Sequence, residues 1–362
     1  MSDRIYNFSA GPATLPVEVL EKAQAELLSL NGIGMSVMEI SHRSKHFDAI
    51  IERAKSGLRK HLDIPANYQI LFMQGGASLQ FSMIPINFLK AGETADYIVT
   101  GAWGKKAIKE AKREGNPAAI YNSEDTGFKS VPKDNELIFS ENAQYIHYTS
   151  NETIEGVEFK RDLDGGGIPV ICDMSSNILS KKLEMEKYAM IYAGAQKNIG
   201  PSGVTLVIIR DDMLAKVPEN QHTLLDYRAI ANKDSMLNTP NTWGIYIIDL
   251  VCQWLSENGG ISAMEEKNET KAKILYDAID SSGGFYKGHA DGNARSLMNV
   301  TFNLPNEDLE KQFASEAAAK GFDGLKGHRS VGGIRASIYN AFPKDGVEAL
   351  VRFMEAFCKT NR

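Results

Sequence analysis

Cysteine is scarce in this sequence, and the three that occur, Cys172, Cys252 and Cys358, show no CxxC spacing. Their odd number excludes complete pairing within the chain, so we expect free, buried thiols in a reducing compartment. No stretch has the spacing of a metal-ligand motif, and no GxSxG nucleophile elbow occurs. The sequence therefore does not support a disulfide framework, a resident metal ion or a serine hydrolase.

Long apolar runs and excess positive charge are also missing. No uncharged stretch approaches the ~20 residues of a membrane-spanning helix. The beginning, MSDRIYNFSAGPATLP, has no basic region followed by an apolar one, so we expect no secretory signal. The net charge of −6 at pH 7 argues against nucleic acid as a partner. We expect a cytoplasmic protein whose anion sites are local.

What the sequence does contain is ordinary globular composition, with 43% apolar and 24% charged residues in 362, enough for two domains. Seven short runs rich in Ile, Val and Tyr alternate with helical stretches, a pattern typical of strands buried on both faces. These runs are 70–73, 97–100, 118–121, 145–148, 169–173, 190–193 and 205–210. We predict an α/β fold with a mainly parallel sheet.

The last strand of this sheet differs in its connection. Only eleven residues, 194–204, precede it, which is too few for a parallel crossover with its helix. We therefore predict that this strand runs antiparallel. Beyond about residue 260 the pattern predicts a smaller α+β domain, with helices at 264–279, 307–320 and 346–359 and strands at 297–304 and 333–339. At the other end, apolar spacing predicts helices over 17–28 and 47–62.

Two residues suggest chemistry on an aldehyde cofactor. Lys197 stands in AGAQKNIGPSG, between an apolar run and a glycine-rich turn, where partial burial favours the reactive free amine. An exposed loop lysine is the alternative, and the commoner case for one lysine alone. Asp173 closes an apolar run, and its carboxylate suits a protonated pyridine nitrogen. A helix N-cap is the alternative role.

A glycine-rich segment and a tryptophan complete this pattern. Residues 74–78, QGGAS, follow one apolar run and precede a helical stretch. Such a segment lets backbone N–H groups and the Ser78 hydroxyl approach a phosphate, although a plain turn is the alternative. Trp103 suits stacking on a planar ring, or simple core packing. Glycine-rich loop, Trp, Asp and Lys in this order predict a pyridoxal 5′-phosphate (PLP) pocket that no single motif specifies.

Five cationic residues in an acidic chain point to the substrate. They form two His-Arg pairs, His42-Arg43 and His328-Arg329, and a single Arg335 among small and apolar residues. Arginine binds carboxylate and phosphate with two hydrogen bonds, and histidine adds a titratable donor. We predict a doubly anionic substrate with one phosphate group; solvated surface charges are the alternative.

Nine stretches, spread along nearly the whole chain, resemble the phosphoserine aminotransferase family. They are NFSAGPATLP, SVMEISHRSK, QGGASLQF, TADYIVTGAWG, SNETIEG, DMSSNILS, IYAGAQKNIGPSG, LNTPNTW and LKGHRSVGGIRASIYNAFP. The resemblance implies a fold-type-I PLP homodimer with a seven-stranded, mostly parallel sheet in a large domain, 16–260. Residues 261–362 and the N-terminal segment 1–15 would form the small domain.

The resemblance also implies an activity. It is transfer of the glutamate amino group to 3-phosphohydroxypyruvate, which yields O-phosphoserine and 2-oxoglutarate by a ping-pong mechanism in serine biosynthesis. The related phosphohydroxythreonine pair of pyridoxine biosynthesis is a second substrate set in the family. One departure is visible: the phosphate loop reads GGASLQF, where some members have GGGRGQF or GGGSGQF, so a cation of some relatives is absent.

Site roles follow by resemblance, position by position. Lys197 would carry PLP and move the proton, Asp173 would bind the pyridinium N–H, Trp103 would stack on the ring and Thr153 would bind the phenolate oxygen. The residues implied to hold the cofactor phosphate are Ala77, Ser78 and Gln196, with Asn238 and Thr239 from the other subunit.

The cationic residues receive substrate roles by the same resemblance. Arg335 would bind the α-carboxylate, and His42, Arg43, His328 and Arg329 would bind the substrate phosphate or the glutamate side chain, some across the dimer interface. Two alternatives remain: another enzyme on the same scaffold, such as a cysteine desulfurase or a serine-glyoxylate-type aminotransferase, and a non-catalytic cofactor-binding protein. A desulfurase needs an accessible cysteine, and another aminotransferase needs another amino donor. A non-catalytic cofactor-binding protein does not require Lys197 or Asp173.

Overall fold

The computed structural model describes residues 4–362. Its helices are α1 (Val17–Ala25), α2 (Lys45–His61), α3 (Gly76–Phe88), α4 (Ala102–Ala111), α5 (Asp211–Leu214), α6 (Tyr227–Ala231), α7 (Thr242–Glu257), α8 (Gly260–Asp280), α9 (Glu307–Ala319) and α10 (Lys344–Asn361). Over these described residues, none of the helices combines the length and apolarity that crossing a membrane requires.

The strands are numbered in chain order. They are β1 (Tyr6–Asn7), β2 (Tyr68–Met73), β3 (Thr94–Val99), β4 (Asn116–Asn122), β5 (Ile146–Thr149), β6 (Asn151–Glu152), β7 (Val157–Glu158), β8 (Val170–Asp173), β9 (Met190–Gly194), β10 (Thr205–Arg210), β11 (Lys287–Gly288), β12 (Asn299–Asn303), β13 (Phe322–Asp323) and β14 (Ile334–Ser337).

The predicted seven-stranded sheet is confirmed. Its order is β2-β10-β9-β8-β5-β3-β4, and each of the seven apolar runs forms one strand. β10 is antiparallel to both of its neighbours, β2 and β9, while the other pairs are parallel. The short turn between β9 and β10 leaves no room for a crossover, which is the physical reason for the reversal.

Two helices differ from the sequence pattern. α1 ends at Ala25 rather than near residue 28, and Leu28 is 86% exposed, so the apolar spacing continues past the helix onto the surface. α7, for which no helix was predicted, is apolar on nearly all sides and largely buried. It packs against α2, α1 and α8. A helix that is apolar all round lacks the 3.6-residue period from which helices are recognised.

The parallel strands bring their carboxyl ends to one edge of the sheet. The segments that follow β2, β3, β5, β8 and β9 therefore lie together, although they are far apart in the chain. In the sheet register Thr149 pairs with Asp173, and Asp173 pairs with Tyr192. Ligands of open α/β sheets bind at this edge.

A second apolar core lies in the C-terminal part of the chain. Phe8 is buried there with Val300 and Phe353, and β1 pairs with β13 through Tyr6 and Phe322. β11, β12 and β14 form a separate three-stranded sheet. This core supports the division into a large domain, 16–260, and a small domain of 261–362 with 1–15. The division itself stays a prediction. Residues 1–3 lie outside the described residues.

Candidate active site

Lys197 lies in the turn that follows β9. Its Nζ donates to Oγ1 of Thr153 at 2.6 Å and lies 5.5 Å from the centroid of the Trp103 ring. Burial lowers the pKa of Lys197 to about 8, while the charges of Asp173 and Glu152 act in the opposite direction. About a tenth of this lysine is therefore a free amine at pH 7, far more than of an exposed loop lysine.

Asp173, at the end of β8, is almost fully buried. Its Oδ1 accepts from the backbone N–H of Ser175 at 2.9 Å and from the Ser175 hydroxyl at 2.6 Å. Burial raises the pKa of Asp173 above its ordinary value, and the positive charge of Lys197 together with the Ser175 donors offsets only part of this rise. Asp173 caps a turn and not a helix, because no helix begins between it and Met185.

Trp103 stands at the start of α4 and is half-buried. Phe81 packs beside it with ring centroids 6.3 Å apart, and Nζ of Lys106 lies 4.0 Å from the Trp103 ring centroid. Its indole Nε1 is buried and has no hydrogen-bond partner among the described residues. The ring thus borders the site of Lys197 and is not enclosed by the core alone.

The glycine-rich loop precedes α3. Gly75 and Gly76 have φ of +90° and +69°, a left-handed backbone that favours glycine. Ala77 and Ser78 lie in the first turn of α3, and no side chain caps that turn. Its N–H groups are therefore available to an anion, which the helix dipole also favours.

Three further residues predicted to bind the phosphate lie near that edge of the sheet. The side chain of Gln196 approaches Gly194, where an added Cβ would lie 2.7 Å from Oε1 of Gln196. Asn238 and Thr239 are exposed and contact Gln74: Asn238 Nδ2 donates to Gln74 Oε1 at 3.1 Å, and Gln74 Nε2 donates to the Thr239 carbonyl at 3.2 Å. Within one chain they border its own glycine-rich loop.

The cations of the C-terminal segment lie close enough to shift one another's pKa. Arg335 is half-buried on β14, and burial lowers its pKa while Tyr339 and Glu155 raise it. Burial lowers the pKa of His328, and so do the charges of Arg335, Arg329 and Lys106. The site thus gathers positive charge that includes Lys106, a residue without a predicted role.

His42 and Arg43 occupy the turn before α2. Between residues 4 and 362, no hydrogen bond joins either side chain to Lys197 or Arg335. The backbone N–H of Arg43 donates to the Ser41 hydroxyl at 3.2 Å, which shapes the turn. Their predicted contribution across a dimer interface stays a prediction.

Sequence reasoning missed two buried carboxyl groups beside Thr153. Glu152 accepts from the backbone N–H groups of Trp103 and Gly104, and Glu155 accepts from that of Ala102. Burial and the neighbouring Glu155 raise the pKa of Glu152 well above its ordinary range. Burial raises the pKa of Glu155 to about 7. Acidic residues ordinarily predict exposure, so only their position on both sides of Thr153 could have drawn attention to them.

Comparison with known proteins agrees with this geometry. Residues 5–350 match the family model of class-V aminotransferases. The chain belongs to the class-V aminotransferase family. Among curated members, the phosphoserine aminotransferase of Geobacillus kaustophilus (strain HTA426) is 52% identical over 354 residues, covering 98% of both chains. That of Niallia circulans is 51% identical over 361 residues, covering 100% of both.

Solved structures of class-V aminotransferases are similar as well. The phosphoserine aminotransferase from Bacillus circulans subsp. alkalophilus has a TM-score of 0.98 and 50% identity, covering 100% of both chains. A PLP-bound phosphoserine aminotransferase from Trichomonas vaginalis has a TM-score of 0.92 and 42% identity, covering 97% of this chain and 100% of the other.

The residues of this class-V aminotransferase fit PLP. The uncapped start of α3 offers N–H groups to a phosphate. Asp173 offers a buried carboxylate to a ring nitrogen, and Trp103 presents an aromatic face beside Lys197. The orphaned, buried Nε1 of Trp103 and the lowered pKa of Lys197 both indicate a site built for a further group.

Proposed function

We propose that this chain acts as a phosphoserine aminotransferase, transferring the amino group of glutamate to 3-phosphohydroxypyruvate with PLP as cofactor. The observation that carries the proposal is the convergence of a partly uncharged lysine, Lys197, with the cations His328, Arg329 and Arg335. The lysine serves amino-group chemistry, and the three cations suit a substrate with a carboxylate and a phosphate. The full-length identity to curated phosphoserine aminotransferases supports the same substrate pair.

Bound PLP supplies an aldehyde carbon that exchanges amino groups and a pyridinium ring that takes up electrons. Lys197 would hold that carbon, Asp173 would bind the ring nitrogen and favour its protonated form, and Trp103 would cover the ring. Thr153 would bind the ring oxygen. Ala77, Ser78 and Gln196 would bind the phosphate, joined by Asn238 and Thr239 of a partner subunit.

The substrate is oriented by positive charge. Arg335 binds the α-carboxylate that both substrates carry. His328 and Arg329, with His42 and Arg43 from a partner subunit, bind the phosphate or the glutamate side chain. Because these cations repel one another, an anionic substrate relieves their repulsion as it binds.

Lys197 is also the base. Its Nζ atom would take the proton from Cα of the amino acid and deliver it to C4′ of the cofactor. Its lowered pKa makes the uncharged form available near neutral pH. The Thr153 hydroxyl, 2.6 Å away, restricts where Nζ lies.

We also propose that the chain forms a cytoplasmic homodimer. Leu28, Met35 and Met38 are 86%, 44% and 58% exposed, which is unusual for apolar side chains of one segment. The same segment contacts α7, where the Thr242 hydroxyl donates to the Val37 carbonyl at 3.4 Å. Self-association through this face would cover the apolar side chains and bring the neighbouring Asn238–Thr239 and His42–Arg43 segments toward a partner.

A visible absorbance scan tests the function directly. The purified protein is loaded with PLP, O-phosphoserine is titrated in, and 2-oxoglutarate is then added. We expect the visible band of the bound cofactor to be lost with phosphoserine and restored by 2-oxoglutarate. A loaded protein that responds to another amino acid but not to phosphoserine would contradict the substrate, and a protein that takes up no PLP would contradict the cofactor.

The cysteine desulfurase alternative is disfavoured by the structure. Cys172, Cys252 and Cys358 are all buried, and burial raises the pKa of Cys172 and Cys252. A desulfurase requires an accessible, nucleophilic thiol. Cysteine as substrate should therefore release no sulfide, and Lys197→Ala should abolish transamination of glutamate and phosphoserine alike.

A further inference from the structure

The start of α4 is capped from a distant part of the chain. Gly101 precedes the helix and has no side chain to cap it. The N–H groups of its first turn are satisfied by carboxylates about fifty positions later in the chain. Trp103 N donates to Glu152 Oε2 at 3.0 Å, Gly104 N to Glu152 Oε1 at 2.8 Å, and Ala102 N to Glu155 Oε1 at 3.0 Å. A buried helix end without such acceptors is strongly disfavoured.

The chain leaves space for the Glu152 carboxylate. An added Cβ at Gly101 would lie 2.5 Å from Cδ of Glu152, and one at Gly104 would lie 3.2 Å from its Oε1. Gly101 has φ of 179°, an extended conformation open to any residue, so space and not backbone freedom requires glycine here. The two glycines and Glu152 therefore form one close-fitting unit.

Glu152 connects two parts of the PLP site. Its side chain holds the helix turn of Trp103, and its backbone precedes Thr153, the acceptor of the Lys197 ammonium or amine. The carbonyl of Glu152 accepts from the N–H of Gly156 at 2.8 Å, which closes the turn that contains Thr153. A shift of the Glu152 carboxylate would thus move the Trp103 ring relative to Thr153.

We propose that Glu152 is a positioning residue that sets the slot bordered by the Trp103 ring and the Thr153 hydroxyl, in which the cofactor ring would lie. This inference rests on the proposed function, because the slot has this meaning only if PLP binds. Glu152 touches neither cofactor nor substrate in this role. It acts through α4 and through its own chain neighbour.

Glu152→Gln provides the test. Both carboxylate oxygens accept a backbone N–H, and glutamine has only one acceptor oxygen, so one N–H of the turn loses its partner in either protonation state of Glu152. Loss of a buried hydrogen bond of this kind weakens PLP binding by about tenfold. We expect that weakening together with a changed visible circular dichroism of bound PLP, since the ring environment becomes less fixed.

Glu158→Gln is the matched control. Glu158 is equally buried in the same segment. It accepts the backbone N–H of Leu297 at 2.7 Å and the side chains of Lys160 at 3.2 Å and Asn177 at 3.4 Å, all away from α4. We expect the control to lower thermal stability and to leave PLP affinity and visible circular dichroism within about twofold of the original. Equal shifts in both variants would show a general loss of stability and overturn the proposal.

A second variant covers the case in which Glu152→Gln does not fold. Gly104→Ala adds one methyl group against Oε1 at a helical position where alanine is favoured, so the helix is retained while the carboxylate is displaced. PLP affinity should fall about threefold, with the same change in visible circular dichroism. Unchanged binding and spectrum in Gly104→Ala would overturn the positioning role, whereas failure of the unmodified chain to bind PLP would instead contradict the proposed function.

Discussion

The backbone N–H of Asn340 donates to Oδ1 of Asn198 at 3.0 Å, and Asn198 Nδ2 donates to the Ile178 carbonyl at 2.6 Å. Both asparagines are buried. Asn198 follows Lys197 directly, and Asn340 stands shortly after β14, the strand of Arg335. The relative placement of the proposed cofactor lysine and the proposed carboxylate arginine is therefore set by buried hydrogen bonds.

Replacing Asn198 by alanine should affect stability and substrate binding together. The substitution leaves the Ile178 carbonyl and the Asn340 N–H unpaired, at about 1–3 kcal/mol each, so we expect the free energy of unfolding to fall by about 2–6 kcal/mol. KM should rise for both glutamate and phosphoserine. Urea unfolding and steady-state kinetics measure the two effects, with exposed Asn116→Ala as control. Lower stability with an unchanged KM would show that the bond has no part in placing Arg335.

Substitutions of Arg335 and of Arg329 should differ in which substrates they impair. Because both substrates carry an α-carboxylate, Arg335→Ala should lower kcat/KM for glutamate and for phosphoserine, by about tenfold or more. Arg329→Ala should mainly damage handling of phosphoserine. The two half-reactions, followed separately, give the comparison. An Arg335→Ala enzyme impaired with phosphoserine alone would assign Arg335 to the phosphate instead.

Capture of PLP by the cofactor-free protein should depend on pH through Lys197. Its pKa is lowered to about 8, and only the free amine attacks an aldehyde. The rate should therefore rise about tenfold per pH unit below 8 and level off above it. Stopped-flow absorbance from about pH 6.8 to 9.5 follows the reaction. A rate still rising at pH 9.5 would mean an ordinary exposed lysine.

Glu155 should make stability depend on pH. Burial raises its pKa to about 7 from an ordinary value of 4.5, so the folded chain binds more protons than the unfolded chain between these values. The Glu155 contribution to the free energy of unfolding is present below pH 4.5 and is lost as pH rises through 7, at up to about 1.4 kcal/mol per pH unit.

Glu155→Gln should remove this part of the pH dependence. Urea unfolding of both proteins between about pH 5 and 8 measures the difference, and exposed Glu114→Gln serves as the control. If the variant and the unmodified chain lose stability in parallel over this range, Glu155 is already ionised in the folded state at low pH.

Lys271 should be a major contributor to stability. Its buried Nζ donates to the carbonyls of Ile338, Tyr339 and Phe342 at 3.0, 2.6 and 3.1 Å. Lys271→Met retains the chain volume and removes this donor. The Tyr339 carbonyl still accepts the N–H of Phe342 at 2.9 Å, so the loss falls mainly on the other two carbonyls, and the free energy of unfolding should fall by about 2–5 kcal/mol.

The control for Lys271 lies on the same helix. Lys273 is 73% exposed and pairs with Asp277 at 2.6 Å, an ion pair worth about 0.5 kcal/mol or less. Lys273→Met should therefore change chemical unfolding little. Comparable losses in the two variants would contradict the special role of Lys271.

The central sheet could be predicted because its strands are buried on both faces. Burial on both sides requires continuous apolar runs, and each of the seven runs forms a strand. The same reasoning failed at α7, where uniform apolarity removes the helical period. It also extended α1 too far, since Leu28 follows the apolar spacing but faces solvent.

The sequence by itself determined the strands, the reversed β10, and the order in which glycine-rich loop, Trp103, Asp173 and Lys197 follow one another. These depend on local burial, on turn length and on chain order. Only the tertiary structure decided which side chains meet, as in the pairing of Glu152 with Trp103 and of Asn198 with Asn340, across 49 and 142 positions. Such contacts depend on the folding of distant segments to one sheet edge, and no local pattern of residue types encodes them.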